Sequence, residues 1–173
     1  MLEDVAGEED MEVVQNAESL IDQAITDLRN ISHNLMPSAL IRLGLVAALH
    51  DMASKINSGK QVKVVVESSG IENRLQEDFE IALYRVVQEA VNNILKHAGA
   101  STIRINLSKE GESLKLDISD DGKGMPEHAM KNSKGIGWED IRSRVSMFNG
   151  NMDLYSNPGT GTHININFSK LVI

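Results

Sequence analysis

Four polar residues within the segment QEAVNNILKHA could bind a metal ion and phosphate. They are Glu89, Asn93, Lys96 and His97. Offsets of four, seven and eight residues place all four on one face of a helix. A carboxylate and a carboxamide one turn apart supply oxygen ligands for Mg²⁺, and the Lys and His can reach an anionic phosphate. A solvated helix face shows the same pattern, so this segment alone does not decide between the two interpretations.

A second segment, Asp120–Gly124 (DDGKG), directly follows an apolar alternating run. A carboxylate at a strand end can accept a hydrogen bond from an exocyclic amine. Gly122 and Gly124 would allow the backbone to pass close to a flat ring. Taken alone, the segment also fits an ordinary turn.

Two further glycine-rich segments follow in the chain. Gly135-Ile136-Gly137 precedes a helical pattern, where free backbone N–H groups and the helix dipole favour phosphate. Gly159-Thr160-Gly161-Thr162 precedes the last alternating run and, by itself, is typical of a hairpin turn.

The elements that must position these segments follow from hydrophobic periodicity. We predict helices over Leu43–Ile56, Asp78–His97 and Glu139–Phe148, and strands over Gln61–Glu67, Thr102–Leu107, Leu114–Ile118, Met152–Leu154 and Ile164–Phe168. This order predicts a mixed α/β layer, with strands in meander order on one side and helices on the other. The connection from Asp120 to Gly137 is too long for a plain connector, so we expect it to be functional.

The N-terminal part has a different pattern. Apolar residues from Val14 to Leu35 recur at alternating steps of three and four, which predicts a long helix with a heptad seam. Such a seam requires a partner helix, a second copy of the chain or its own domain to cover it. Pro37 disfavours helix at the residue before it, so we expect the helix to end there.

Composition narrows the class of protein. The 173 residues include no Cys, which excludes a disulfide framework, a zinc ribbon and a thiol nucleophile. Residues 1–20 hold seven of the 25 acidic residues and no Lys or Arg, so the rest of the chain is near neutral despite the net charge of −8. A body without excess positive charge argues against nucleic acid as a partner. We also expect a soluble chain, because no apolar run is long enough for a membrane span.

The order of the four segments resembles the Bergerat ATP-binding fold, shared by histidine kinases, DNA gyrase, mismatch-repair ATPases and heat-shock chaperones. The resemblance covers roughly residues 60–169. It is closer to sensor histidine kinases of the nitrate-sensor type, on the segments YRVVQEAVNNILKHAGAS and GIGWEDIRSRVSMFNG. The upstream segment LRNISHNLMPSALIRLGLVAAL resembles the second dimerisation helix and linker of those kinases.

The resemblance implies a fold and a division into domains. The fold would be an α/β sandwich with a mixed, largely antiparallel sheet and helices on one face, preceded by a long N-terminal helix. Residues 1–37 would form an acidic arm and dimerisation-type helix. Residues 38–59 would form a linker and short helix, and residues 60–173 the ATP-binding catalytic domain.

It also implies a role for each matching position. Asp120 would accept the adenine amine, with help from Gly122, Gly124 and Thr162. Asn93 would be the Mg²⁺ ligand that bridges the ATP phosphates, and Glu89 the carboxylate that orients the metal's water. Lys96 and His97 would contact phosphate, Gly135 and Gly137 would hold phosphate at the helix start, and 125–134 would be a mobile ATP lid. Ile94 and Trp138 depart from the family pattern at the expected edge of the pocket.

The expected phosphoaccepting histidine is not matched. In this family it is followed by an acidic residue, whereas His33 is followed by Asn34. His50 is followed by Asp51, but it lies in the linker, after Pro37. We therefore expect a catalytic fragment that transfers the γ-phosphate of Mg-ATP to a histidine outside this chain.

The expected partners follow from that function. They are a response regulator, the upstream dimerisation helix of the parent kinase and a second copy of the chain; the setting is cytoplasmic, and the parent protein could be membrane-bound. Two alternatives stay open: a serine kinase of the anti-sigma type with the same ATP fold, and a nucleotide-binding scaffold without transfer activity.

Overall fold

The α/β pattern folds into a five-stranded sheet with helices packed against one face. The computed structural model describes residues 38–125 and 136–169, and from Ala39 onward they belong to one compact unit. The helices are α1 (Ser38–Leu43), α2 (Leu45–Ser58), α3 (Glu77–His97) and α4 (Ile136–Met147). The strands are β1 (Lys63–Ser69), β2 (Thr102–Glu110), β3 (Ser113–Asp120), β4 (Asn151–Ser156) and β5 (Thr162–Phe168). The predicted long N-terminal helix, its heptad seam and His33 lie outside the described residues.

The strand order is β1-β2-β3-β5-β4, with β1 and β2 parallel and the other pairs antiparallel. The mixed, largely antiparallel sheet is thus confirmed, but the predicted meander order is wrong, because β5 lies between β3 and β4. Burial explains the insertion. Ile164, Ile166 and Phe168 of β5 are fully buried, whereas Met152 and Leu154 of β4 are only partly buried. The more apolar strand therefore takes the inner position.

The two faces of the sheet differ in polarity. Every second residue of the three inner strands is buried against the helices, including Ile105 of β2, Leu116 of β3 and Ile166 of β5. The alternate positions carry polar side chains, and there Asp117 accepts a hydrogen bond from Asn165. This alternation is typical of antiparallel sheets with one solvated face.

Helix α3 carries the predicted functional face and is anchored at its N-terminal end. Phe79 packs edge-to-face on Phe148, at the end of α4, and on Phe168 of β5, with ring centroids 5.1 and 4.9 Å apart. Acidic residues occupy its first turn and Lys96 and His97 its last, which suits the helix dipole. No helix within 38–125 or 136–169 has the length and apolar character needed to cross a membrane.

The segment before β1 differs from the prediction of one helix over Leu43–Ile56. It forms two helices, α1 and α2, because Gly44 has a positive φ of 89° and interrupts the helical path. The end of α2 is fixed to β1 by Asn57, whose side chain donates to the Val64 carbonyl and accepts from the Val64 N–H.

Candidate functional site

A cleft of about 470 Å³ opens where the C-terminal end of α3 meets the end of β3 and the start of α4. It is lined by Asn93, Ile94, Lys96, His97, Ala98, Lys123, Gly124, Met125, Gly137, Trp138 and Thr162. All four sequence segments contribute to this wall, although His97 of the first and Thr162 of the last lie 65 positions apart in the chain. The cations Lys96 and Lys123 on its rim would attract an anionic ligand.

Asp120 lies at the end of β3 and is 8% exposed. One carboxylate oxygen accepts from the Gly122 N–H at 2.7 Å and the other accepts from the Thr162 N–H at 3.2 Å. The carboxylate is thus fixed by its own loop and by the first residue of β5. Thr162 lines the cleft directly, whereas Asp120 is not itself a lining residue and is joined to the wall by its bond with Thr162.

The glycines beside Asp120 are required by close backbone approaches within the protein. A Cβ at Gly122 would lie 2.5 Å from the Ala98 carbonyl oxygen and 2.7 Å from the Asp120 Oδ1. Gly124 has φ of +64°, and a Cβ there would overlap the Asn157 carbonyl. From the sequence, these glycines are expected to allow contact with a flat ring. The structure shows that close approaches within the protein already require glycine at both positions.

The polar face of α3 is open towards the cleft at its C-terminal end. Asn93 is half-buried, Lys96 and His97 are exposed, and all three line the cleft. Glu89, one turn earlier, is half-buried and lies against the start of α4. A Cβ at Gly137 would overlap the Glu89 Oε1 and lie 3.0 Å from the Asn93 Nδ2. The structure therefore brings Glu89, Asn93 and Gly137 together, whereas Gly135 lies outside the described residues.

Sequence reasoning missed two residues that stabilise the loops around the cleft. The Ser156 hydroxyl donates to the Gly161 carbonyl at 2.9 Å and accepts from the Met125 N–H at 2.8 Å.

The second of these residues is Asp121, which accepts hydrogen bonds from Ser101 and Thr102. These bonds, of which that from the Ser101 hydroxyl has the largest effect, lower the pKa of its carboxyl to about 2. The doubled Asp of the sequence DDGKG was the available signal for Asp121; Ser156 gave none.

The side chains at the cleft could bind a metal ion only together with a ligand that supplies further oxygen atoms. Across residues 38–125 and 136–169, no group of three or more His, Cys, Asp or Glu side chains could hold a metal ion. Mg²⁺ is commonly bound through one or two protein groups plus phosphate oxygens and water. The Glu89 and Asn93 pair fits that second kind of site.

Comparison with known proteins defines the family. Residues 78–171 match the family model described as histidine kinase-, DNA gyrase B-, and HSP90-like ATPase. That match covers more than half of the chain and includes the α3 face, Asp120 and Thr162. The chain therefore belongs to this ATPase family.

Individual relatives point to its histidine kinase branch. The chain is 32% identical to the sensor histidine kinase MctS of Rhizobium johnstonii over 156 residues, which are 85% of this chain and 34% of that protein. The chain thus spans about a third of the length of that curated relative. Its fold resembles the histidine kinase domain of the blue-light activated kinase EL346 from Erythrobacter litoralis, with a TM-score of 0.61 and 27% identity over 73% of this chain and 61% of that one.

A more distant structure shares the fold alone. The histidine kinase AdeS of Acinetobacter baumannii matches with a TM-score of 0.57 at 15% identity, covering 98% of this chain and 88% of that one. The α/β sandwich predicted from the sequence is confirmed by these structures.

Proposed function

We propose that the cleft binds ATP together with Mg²⁺. The observation that carries this proposal is the convergence of segments distant in the chain. Gly137 of α4 meets Glu89 and Asn93 of α3, and the same cleft is bounded by Thr162, whose N–H is bonded to Asp120. A polar helix face, a buried carboxylate and a helix start thus meet in one place, as binding of a base and a triphosphate requires.

The base would bind at the Asp120 end of the cleft. Each Asp120 oxygen accepts one backbone N–H, and an ionised carboxylate has about four acceptor positions, so a further donor can be accommodated. An exocyclic amine of adenine is such a donor. Gly122, Gly124 and Thr162 would shape this end of the cleft, with Ile94 as its apolar wall.

The phosphates would bind at the other end. Lys96 and His97 line the cleft as cationic or hydrogen-bonding groups, and Gly137, with Gly135 before it, would offer backbone N–H groups at the start of α4. Asn93 would hold Mg²⁺ through its carboxamide oxygen, and Glu89 would orient a water of the metal. When bound, Mg²⁺ neutralises charge on the phosphate oxygens.

We further propose that the chain is the catalytic part of a sensor histidine kinase of the nitrate-sensor type. The γ-phosphoryl group would pass from ATP to a histidine nitrogen outside this chain, leaving ADP, and then to an aspartate of a response regulator. The 32% identity to a sensor histidine kinase supports the kinase assignment. The nitrate-sensor type rests on the resemblance of the segments YRVVQEAVNNILKHAGAS and GIGWEDIRSRVSMFNG. Pairing with an upstream dimerisation helix and with a second copy, in the cytoplasm, belongs to the same proposal.

Incubation with γ-labelled ATP and Mg²⁺ tests the proposal. The chain is incubated alone and with a separate fragment that contains the upstream helix of its parent kinase. Label is expected only on the added fragment. Acid-labile label on this chain that His33→Gln removes would instead make His33 the acceptor. ATP binding without label on either protein would favour the scaffold function.

A further inference from the structure

Two adjacent carboxylates at the end of β3 are bonded to different parts of the protein. Asp120 accepts from Gly122 and Thr162 and so belongs to the loop and to β5. Asp121 is exposed, and its Oδ1 accepts from the backbone N–H groups of Ser101 and Thr102, both at 2.8 Å. Its Oδ2 accepts from the Ser101 hydroxyl at 2.6 Å.

The residues that Asp121 binds belong to the connection that leaves α3. This connection runs from Ala98, through Gly99 with φ of +61°, to Thr102 at the start of β2. Two main-chain bonds join the same two segments: the Asp121 N–H donates to the Thr102 carbonyl at 3.3 Å, and the Lys123 N–H donates to the Ala98 carbonyl at 2.9 Å. Asp121 and Lys123, on either side of Gly122, therefore both bond to the connection that follows α3. This links the segment after Asp120 to the C-terminal end of α3, where Asn93 lies.

We infer that Asp121 is a positioning residue of the nucleotide site: by binding Ser101 and Thr102 it sets the spacing between the Asp120 loop and the Asn93 end of α3. This inference rests on the proposed function, because it assigns the two segments to the base and the triphosphate. A ligand that contacts the Asp120 segment and the Asn93 end of α3 at once gains affinity from both contacts only if the distance between them matches the length of the ligand.

The bonds of Asp121 extend the pairing of β2 with β3 rather than cap a single turn. Ile103 and Asp120 form the last pair of the ladder, so Thr102 is the next cross-strand neighbour of Asp121, and the Asp121 N–H also donates to the Thr102 carbonyl at 3.3 Å. The Asp121 side chain carries this pairing on to Ser101, in the connection that leaves α3. Its lowered pKa shows that these bonds favour the charged form of the carboxyl. At neutral pH, the Asp121 carboxylate thus accepts these hydrogen bonds in its ionised form.

The test compares ligands that fill both halves of the site with ligands that fill one. Binding of AMPPNP with Mg²⁺, of adenosine, and of tripolyphosphate with Mg²⁺ is measured by NMR titration of the full chain and of Asp121→Ala. AMPPNP affinity is expected to fall roughly tenfold, since the two halves no longer match the ligand together. The affinities for adenosine and for tripolyphosphate are expected to change less than about twofold.

Conservative and control variants complete the experiment. Asp121→Asn keeps an oxygen for the two backbone N–H groups and an amide that can donate to the Ser101 hydroxyl, so it is expected to restore binding. Ser101→Ala removes one bond and is expected to give an intermediate loss even if Asp121→Ala does not fold. Asp153→Ala, an exposed carboxylate on β4, is the matched control.

The outcomes separate this inference from the proposed function. Wild-type chain that binds no AMPPNP would contradict the proposed function itself. Wild-type binding with unchanged AMPPNP affinity in Asp121→Ala would overturn the positioning role. So would equal losses for all three ligands, because that result indicates general disruption of the site rather than altered spacing.

Discussion

The two ends of helix α3 use charged residues in opposite ways. At the N-terminal end, the side chain of Glu80 is 3% exposed and its carboxylate lies 2.7 Å from the guanidinium of Arg74, which is 47% exposed. At the C-terminal end, Lys96 and His97 are exposed and line the cleft. One end has its charge satisfied within the protein, and the other leaves its polar groups available to a ligand.

The buried end also joins α3 to the linker. Arg74 donates to the carbonyls of Leu40 and Ile41, the last turn of α1, and Glu80 accepts from the Leu75 N–H. Stability and binding are thus separated along one helix, since Glu80 and Lys96 lie about four and a half turns apart. A substitution at one end is therefore expected to leave the property of the other end unchanged.

Removal of the buried carboxylate is expected to have the largest effect. Glu80→Ala removes a buried carboxylate that accepts hydrogen bonds from the half-exposed Arg74 and from the Leu75 N–H, and it should lower the free energy of unfolding by about 3 kcal/mol. Affinity for AMPPNP with Mg²⁺ should stay unchanged below the melting temperature. Urea denaturation and calorimetric titration of the same samples measure both quantities.

Two variants serve as controls for Glu80. Glu80→Gln keeps an oxygen that can accept from Arg74 and Leu75, so it should be less destabilising than Glu80→Ala. Asp140→Ala removes the exposed pair with Arg144 and should cost less than about 0.5 kcal/mol. A loss of nucleotide affinity in Glu80→Ala equal to its loss of stability would break the separation of the two ends.

Asp120→Asn should have the next largest effect, on binding and also on stability, because the single amide oxygen leaves either the Gly122 or the Thr162 N–H without its acceptor. The amide can present a donor to the adenine amine where an acceptor is needed. Loss of a charge-assisted hydrogen bond of about 1.5–3 kcal/mol implies roughly tenfold to hundredfold weaker binding. Calorimetric titration with AMPPNP decides, with Asp153→Asn as control, and equal affinities would contradict the assignment of Asp120 to adenine.

Asn93→Ala should give a smaller effect that depends on the metal. In Mg²⁺ the affinity for AMPPNP should fall by about 1 kcal/mol, or roughly fivefold, because a ligand oxygen is lost. In EDTA the variant and the wild type should bind alike. An identical loss in both conditions would mean that Asn93 acts by packing on Gly137 rather than by holding metal.

The pH dependence of Asp121 should be the smallest effect. Its pKa is lowered from 3.8 to about 2 in the folded chain, so the ionised form stabilises the fold. That stabilisation is fully present above pH 4 and is lost as the pH falls through about 2. Urea denaturation at pH 5 and at pH 2.5 should show a smaller decline for Asp121→Asn than for wild type; equal declines would contradict the assignment.

Part of the cleft's lining could be predicted from the sequence, because it follows a local rule. The 3.6-residue period places Glu89, Asn93, Lys96 and His97 on one face of a helix, and in the structure Asn93, Lys96 and His97 line the cleft whereas Glu89 does not. Their role in binding stays a prediction. The convergence of Gly137 on Glu89 could be expected only from the family resemblance. Local periodicity contains no information on which helix start meets which helix face.

What sequence reasoning missed depends on long-range contacts. Arg74 and Glu80 lie six positions apart in a polar segment, and only the folded chain buries Glu80 and brings Arg74 to the carbonyls at the end of α1. The place of β5 between β3 and β4 follows from relative burial across the sheet rather than from chain order. The break at Gly44 was missed because the apolar pattern continues through it.

The inner position of β5 has a consequence for the order in which the protein can be assembled during synthesis. Until Thr162 to Phe168 leave the ribosome, β3 has an open edge and β4 has no strand to pair with. The Thr162 N–H that fixes Asp120 belongs to this same late strand. Closure of the sheet and completion of the cleft are therefore one event, reached only when the last of the described strands has been translated.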